Sequence, residues 1–170
     1  MLARLPGLVP IVAVLTAMLM LACGGIPTST YDDSSKGPST VKESLEGKDF
    51  NKFFPKDQAK GEWDFVFKAD KKGEAAGELK KAGKTVALLA ITDTLNEPSA
   101  KDKFKASTEK INGYPVGVSE SSLETAILVA DRFQVKVRTM PPATNATFGK
   151  TDREDWIKKF DLDGLAKLGK

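Results

Sequence analysis

The chain has 170 residues, a formal net charge of +3 and 41% hydrophobic residues, which suits one folded domain with flanking segments. Acidic and basic residues are interspersed, so the sequence does not predict the concentrated positive charge of a nucleic-acid-binding face. The absence of histidine removes the commonest general base and the commonest metal ligand. We therefore predict a protein that is not an enzyme, with no catalytic residues, no metal site, no cofactor and no nucleic-acid partner.

Residues 1–22 have the layout of an export signal. Arg4 supplies one positive charge near the start, and an apolar run from Ile11 to Leu21 follows it. A positive start, an apolar centre and a small residue at the end are typical of signal peptides. A permanent membrane span is the alternative, but the uncharged stretch is at the lower limit of length for crossing a bilayer. We predict that residues 1–22 are a signal peptide.

Cys23 follows this segment and is the only cysteine of the chain, so it cannot form an intramolecular disulfide. The sequence Met20-Leu21-Ala22-Cys23 resembles the lipobox of bacterial lipoprotein precursors. This resemblance implies cleavage before Cys23, a diacylglycerol on its sulfur and often an acyl chain, such as palmitate, on its new amino group. Two or more acyl chains hold a protein stably at a membrane.

The same resemblance implies a location in the cell envelope. Gly24, rather than an aspartate, follows the cysteine, which in lipoproteins of diderm bacteria favours transport to the outer membrane. The partners it implies are the membrane, through acyl chains on Cys23, and an envelope protein. The resemblance to lipoprotein precursors covers the chain only to about residue 25 and identifies no domain family.

The stretch after Cys23, to residue 41, is dominated by Gly, Ser, Thr, Asp and Pro and contains too few apolar residues to fold. A flexible spacer of this length holds a domain about 20–25 Å from its anchor. We therefore predict three parts, which are a signal peptide (1–22), a lipidated cysteine with a flexible tether (23–41) and a single α+β domain (42–170).

The domain begins with two aromatic-rich segments. Residues 42–54 are predicted to contain a short helix that ends before Pro55, because three aromatic residues follow helical spacing, namely Phe50, Phe53 and Phe54. Residues 63–69 alternate between apolar and polar side chains, which predicts a strand. Its apolar face carries Trp63, Phe65 and Phe67.

Residues 74–81 are open to two interpretations. Their composition permits a helix, but Gly77 disfavours one by about 1 kcal/mol relative to alanine. A short loop containing Gly83 joins them to a clear strand at residues 85–92, which favours a hairpin. That second strand is apolar on both faces, so we predict that it lies inside the sheet.

Residues 99–111 are predicted to form the longest helix of the domain, with an apolar stripe made of Ala100, Phe104, Ser107 and Ile111. Residues 114–118 follow as a strand, which Pro115 places at an edge of the sheet. Two further strands are predicted at residues 124–130 and 132–138, with a turn or bulge at Ala130 and Asp131.

Two C-terminal helical segments complete the domain. Thr151 and Glu154 match a capping box at the start of the first, and Asp161 or Asp163 is predicted to start the second. The predicted fold is therefore α+β, with an antiparallel sheet of about five strands and with one long helix and the C-terminal helices packed on one face.

Three short motifs invite functional readings, but each has a simpler explanation. Gly83-Lys84-Thr85 resembles part of a phosphate loop, yet Glu78 occupies the position of the required glycine and the motif leads into a strand. Ser107 and Lys110 match the Ser-x-x-Lys pattern of penicillin-recognising enzymes, whose companion motifs the sequence lacks. The acidic residues near the C-terminus suit helix caps better than a calcium loop; they are Asp152, Glu154, Asp161 and Asp163.

The aromatic residues are predicted to form one core, and a ligand pocket lined by some of them is the alternative; the residues are Trp63, Phe65, Phe67, Phe133, Trp156 and Phe160. From these features we predict a lipid-anchored envelope lipoprotein that acts by binding or as a structural accessory. The alternative is a periplasmic or surface module that binds a small ligand in a pocket between sheet and helix.

Overall fold

The structure is a computed structural model that describes residues 43–56 and 62–170. The predicted signal peptide, Cys23 and the tether lie outside the described residues. Within the described part, no helix is long and apolar enough to cross a bilayer.

In this described part, seven strands form one antiparallel sheet in the order β1-β2-β3-β7-β6-β5-β4. The strands are β1 (Trp63–Lys71), β2 (Glu74–Lys81), β3 (Lys84–Asp93), β4 (Lys110–Ile111), β5 (Tyr114–Ser119), β6 (Glu124–Val129) and β7 (Phe133–Thr139). The helical segments are a first 3₁₀ helix (Gly47–Phe53), a second 3₁₀ helix (Pro98–Lys101), α1 (Asp102–Lys105), α2 (Lys150–Ile157) and α3 (Leu162–Leu168). The α+β class is confirmed, but the sheet has more strands than predicted and the helices are short.

The segment that was open to two interpretations is a strand. β2 pairs with β1 on one side and with β3 on the other, as the hairpin interpretation requires. Gly77 lies against the ring of Phe65, where any side chain would collide with it. Ala82 and Gly83 both have positive φ, which matches the tight hairpin turn between β2 and β3. β3 lies inside the sheet, between β2 and β7, as predicted.

The long helix predicted at residues 99–111 is wrong. The second 3₁₀ helix and α1 end at Lys105, and Ile111 belongs to β4. Phe104 packs with Ala126 and Leu128, whereas Ile111 belongs to the main core cluster. Those two groups lie on opposite faces of the sheet, so one straight helix cannot place Phe104 in one group and Ile111 in the other.

The two faces of the sheet differ in what covers them. The front face, which carries Leu89, Ile127 and Val135, contains the main core and is covered by the first 3₁₀ helix, α2 and α3. The back face carries Ala126, and α1 packs there against β5 and β6. The prediction that all helices lie on one face is therefore wrong for α1.

The two C-terminal helices begin in different ways. Gly149 precedes α2, and its N–H donates to a carboxylate oxygen of Asp152 at 2.7 Å. The predicted capping box of Thr151 and Glu154 is therefore wrong, because the helix has already begun at Lys150. Of the two residues predicted to start α3, Asp161 is its cap, since its Oδ1 accepts a hydrogen bond from the N–H of Gly164 at 2.8 Å.

Candidate functional site

The predicted aromatic core is confirmed except at Phe67. The other five residues belong to the main core cluster or pack against it, but Phe67 is 47% exposed. Its ring contacts those of Phe65 and Phe54 at centroid distances of 4.8 and 5.3 Å. β1 is an edge strand, so a side chain there has neighbouring strands on one side only.

Next to this exposed ring, the surface contains a groove of about 440 Å³. Its volume falls in the range of small-molecule sites, roughly 300–1,000 Å³. We call it the aromatic groove, and it is lined by Phe54, Pro55, Lys56, Lys159, Phe160 and Asp161.

Two distant parts of the chain form the aromatic groove. One follows the first 3₁₀ helix, which ends at Phe53, and the other lies between α2 and α3. The N–H of Asp161 donates to the carbonyl oxygen of Phe53 at 2.9 Å, and the rings of Phe54 and Phe160 have centroids 5.2 Å apart. These two contacts hold the walls of the groove together.

The bottom and the rim of the aromatic groove differ in polarity. Phe54 and Phe160 are 3% and 5% exposed and form an apolar bottom. Lys56, Lys159 and Asp161 are exposed and form the rim. The groove can therefore accept an apolar group below charged side chains.

The charges at this rim have different neighbours. The ammonium group of Lys159 lies 3.8 Å from the centre of the Trp156 ring, which is a cation–π contact. The carboxylate of Asp161 is the cap of α3. Ion pairs close by in sequence use other lysines, such as Lys158 with Asp155, so the two rim lysines give the groove a cationic character.

The other motifs do not build a site. Gly83 lies in the β2–β3 turn, where Lys84 begins a strand. Ser107 lies beyond α1, and its hydroxyl donates to the carbonyl oxygen of Glu109, whereas Lys110 begins β4. Across residues 43–56 and 62–170, no three or more His, Cys, Asp and Glu side chains are grouped closely enough to hold a metal ion.

Sequence reasoning missed the burial of Arg153. Its side chain is fully buried beneath α2, and burial lowers the pKa of its guanidinium below the ordinary value. Helical spacing offered a signal, since Arg153 lies three residues before Trp156 and four before Ile157, both of which are core residues. Arg153 does not line the aromatic groove, so we treat it as part of the structural framework.

Sequence reasoning also missed the rim lysines. Lys56 and Lys159 are separated by about a hundred positions in the chain, and no local pattern links them. The hydrogen bond from Asp161 to Phe53 and the contact between the rings of Phe54 and Phe160 bring their segments together.

Comparison with protein-family models, with curated proteins and with solved structures finds no match for this chain.

Proposed function

We propose that this chain is a lipid-anchored protein of the cell envelope whose C-terminal domain acts by binding or as a structural accessory, not by catalysis. The observation that carries this proposal is Cys23, which follows an uncharged apolar segment in the sequence Met20-Leu21-Ala22-Cys23. The polar stretch after it suits a spacer between a membrane anchor and a folded domain. Acyl chains on Cys23 would hold the domain at the membrane surface.

Replacing Cys23 with serine tests the anchor directly. We expect the wild-type chain to incorporate radiolabelled palmitate, to be cleaved before Cys23 and to be recovered with membranes. The Cys23→Ser variant should incorporate no label, because it lacks the sulfur that takes the diacylglycerol, and should remain an uncleaved precursor or be released. A Ser29→Ala variant, altered in the tether, is the matched control and should behave like wild type. Unchanged labelling and processing of Cys23→Ser would contradict the proposal.

A second candidate function is the binding of a small ligand in the aromatic groove. The observation that favours it is the combination of buried Phe54 and Phe160 with exposed Lys56 and Lys159 around one opening. Ligand sites commonly combine an apolar lining with a few polar groups that fix orientation. The groove lies between the end of the first 3₁₀ helix and the connection of α2 to α3. Its lining contains no strand residue, so it differs in position from the predicted pocket between sheet and helix.

A further inference from the structure

We infer that the aromatic groove binds an amphipathic anion, specifically an acyl chain that ends in a carboxylate. This inference rests on the small-ligand function proposed above and names the class of ligand. It follows from the separation of apolar and cationic groups within the groove.

The apolar part of the ligand is indicated by the bottom of the groove. Phe54, Pro55 and Phe160 line it, and their side chains offer neither donors nor acceptors. A sugar or another ligand rich in hydroxyls would leave its polar groups unpaired there, which is costly. An alkyl chain gains from the same contact, because apolar surface leaves water.

The apolar surface continues beyond the groove, which favours an extended chain over a compact ligand. The ring of Phe67 lies 5.3 Å from that of Phe54 and is about half exposed. A chain that leaves the groove therefore meets the exposed ring of Phe67 on β1.

The charge of the ligand is indicated by the rim. An ammonium group has three donors and no acceptor, so Lys56 and Lys159 match an anionic head group. Among the described residues that line the groove, the one carboxylate is that of Asp161, which accepts the hydrogen bond from Gly164 that caps α3. That bond leaves the negative charge of Asp161 in place, so the described rim has two positive charges and one negative charge. The net positive charge favours an anion over a cation.

Photo-crosslinking of the full-length lipidated chain tests this inference. The protein is held in nanodiscs of neutral phosphatidylcholine and exposed to three probes that carry the same diazirine-bearing dodecyl chain. One probe ends in a carboxylate, one in a hydroxyl and one in a trimethylammonium group. Peptide mass spectrometry then locates and quantifies the adducts.

We expect the carboxylate probe to label the peptides that contain Phe54 and Phe160 about threefold to tenfold more than the trimethylammonium probe, because exposed charge pairs are individually weak. The double variant Lys56→Gln/Lys159→Gln should lose that preference. The matched control is Lys110→Gln/Lys136→Gln, which removes two charges from the opposite edge and the back face of the sheet and should retain it.

Equal labelling of the groove by all three probes would contradict the inference that the ligand is an anion, but it would still agree with the proposed binding of a small ligand. A preference for the carboxylate probe that the lysine variant retains would contradict the inference as well. If no probe labels the groove, both the inference and the small-ligand function fail. The membrane anchor is judged separately, by palmitate incorporation at Cys23.

Discussion

Arg132 and Arg153 are both buried in this domain, but their guanidinium groups are satisfied in different ways. Arg132 pairs with the carboxylate of Asp93, with Nη2 to Oδ2 at 2.7 Å and Nε to both oxygens at 3.2 Å. Asp93 is itself 0% exposed. The charge of each partner is therefore offset by the other.

Arg153 has no such partner among its hydrogen bonds. Its Nε donates to the hydroxyl of Thr125, and its Nη1 donates to the hydroxyl of Thr139 and the amide oxygen of Asn145, each at 3.1 Å. Its Nη2 is buried and has no hydrogen-bond partner in the described part of the chain. The group is satisfied by neutral acceptors, and the cost of removing its charge from water is offset less completely than at Arg132.

The two sites also connect different parts of the domain. Arg132 donates to the carbonyl oxygen of Glu43 at 2.9 Å, and Asp93 accepts from the N–H of Leu45. This pair therefore joins the start of the described domain to the end of β3 and the β6–β7 turn. Arg153 instead ties α2 to β6, β7 and the loop between β7 and α2. A buried cation is therefore most costly to remove where a buried anion depends on it.

The largest effect is expected for Arg132→Met. It leaves the carboxylate of Asp93 buried without its cation, and breaking a buried pair from one side costs about 3–5 kcal/mol. Urea denaturation followed by circular dichroism measures the free energy of unfolding. Arg138→Met, which removes a half-buried arginine from the back face of β7, is the matched control. It should lower the free energy of unfolding by less than Arg132→Met does. A loss for Arg132→Met no larger than that of the control would show that Asp93 does not depend on the pair.

A smaller loss is expected for Arg153→Met. The change removes three hydrogen bonds to neutral groups. Asn145 is exposed, and the hydroxyl of Thr139 still donates to the carbonyl oxygen of Phe148. The main cost is therefore at the buried hydroxyl of Thr125, and one buried polar group left unpaired costs about 1–3 kcal/mol. Relief of the desolvated charge offsets part of that cost, so we expect a net loss of about 1–3 kcal/mol in the same urea experiment. If Arg153→Met lowers the free energy of unfolding by more than Arg132→Met does, the proposed difference between the two sites is wrong.

The smallest effect is expected from pH. Burial lowers the pKa of Arg153 in the folded state, so the unfolded state binds more protons only at strongly alkaline pH. The burial penalty is therefore fully present below the folded pKa and is relieved as pH rises above it. Between about pH 5 and about pH 9, the difference in unfolding free energy between wild type and Arg153→Met should stay constant. A difference that changes steadily across this range would contradict a fully charged Arg153.

The accuracy of the sequence predictions follows the range of the interactions involved. The β2–β3 hairpin is predicted from Gly77, which disfavours a helix, and from a short glycine-containing loop that leads into a clear strand, all of which lie within about twenty residues. The cap at Asp161 depends on a bond to Gly164, three residues away. The helix at 99–111 failed because its periodicity could not reveal that Phe104 and Ile111 pack on opposite faces of the sheet.

Local patterns therefore predict the α+β class and most of the strands, because each depends on neighbouring residues. The lipid anchor at Cys23 stays a prediction from the same kind of local pattern. Tertiary structure alone establishes the strand order and the position of α1 on the back face. It also decided the aromatic groove, in which Lys56 and Lys159 flank the rings of Phe54 and Phe160. These features arise from contacts between segments that are far apart in the chain, and local periodicity carries no information about them.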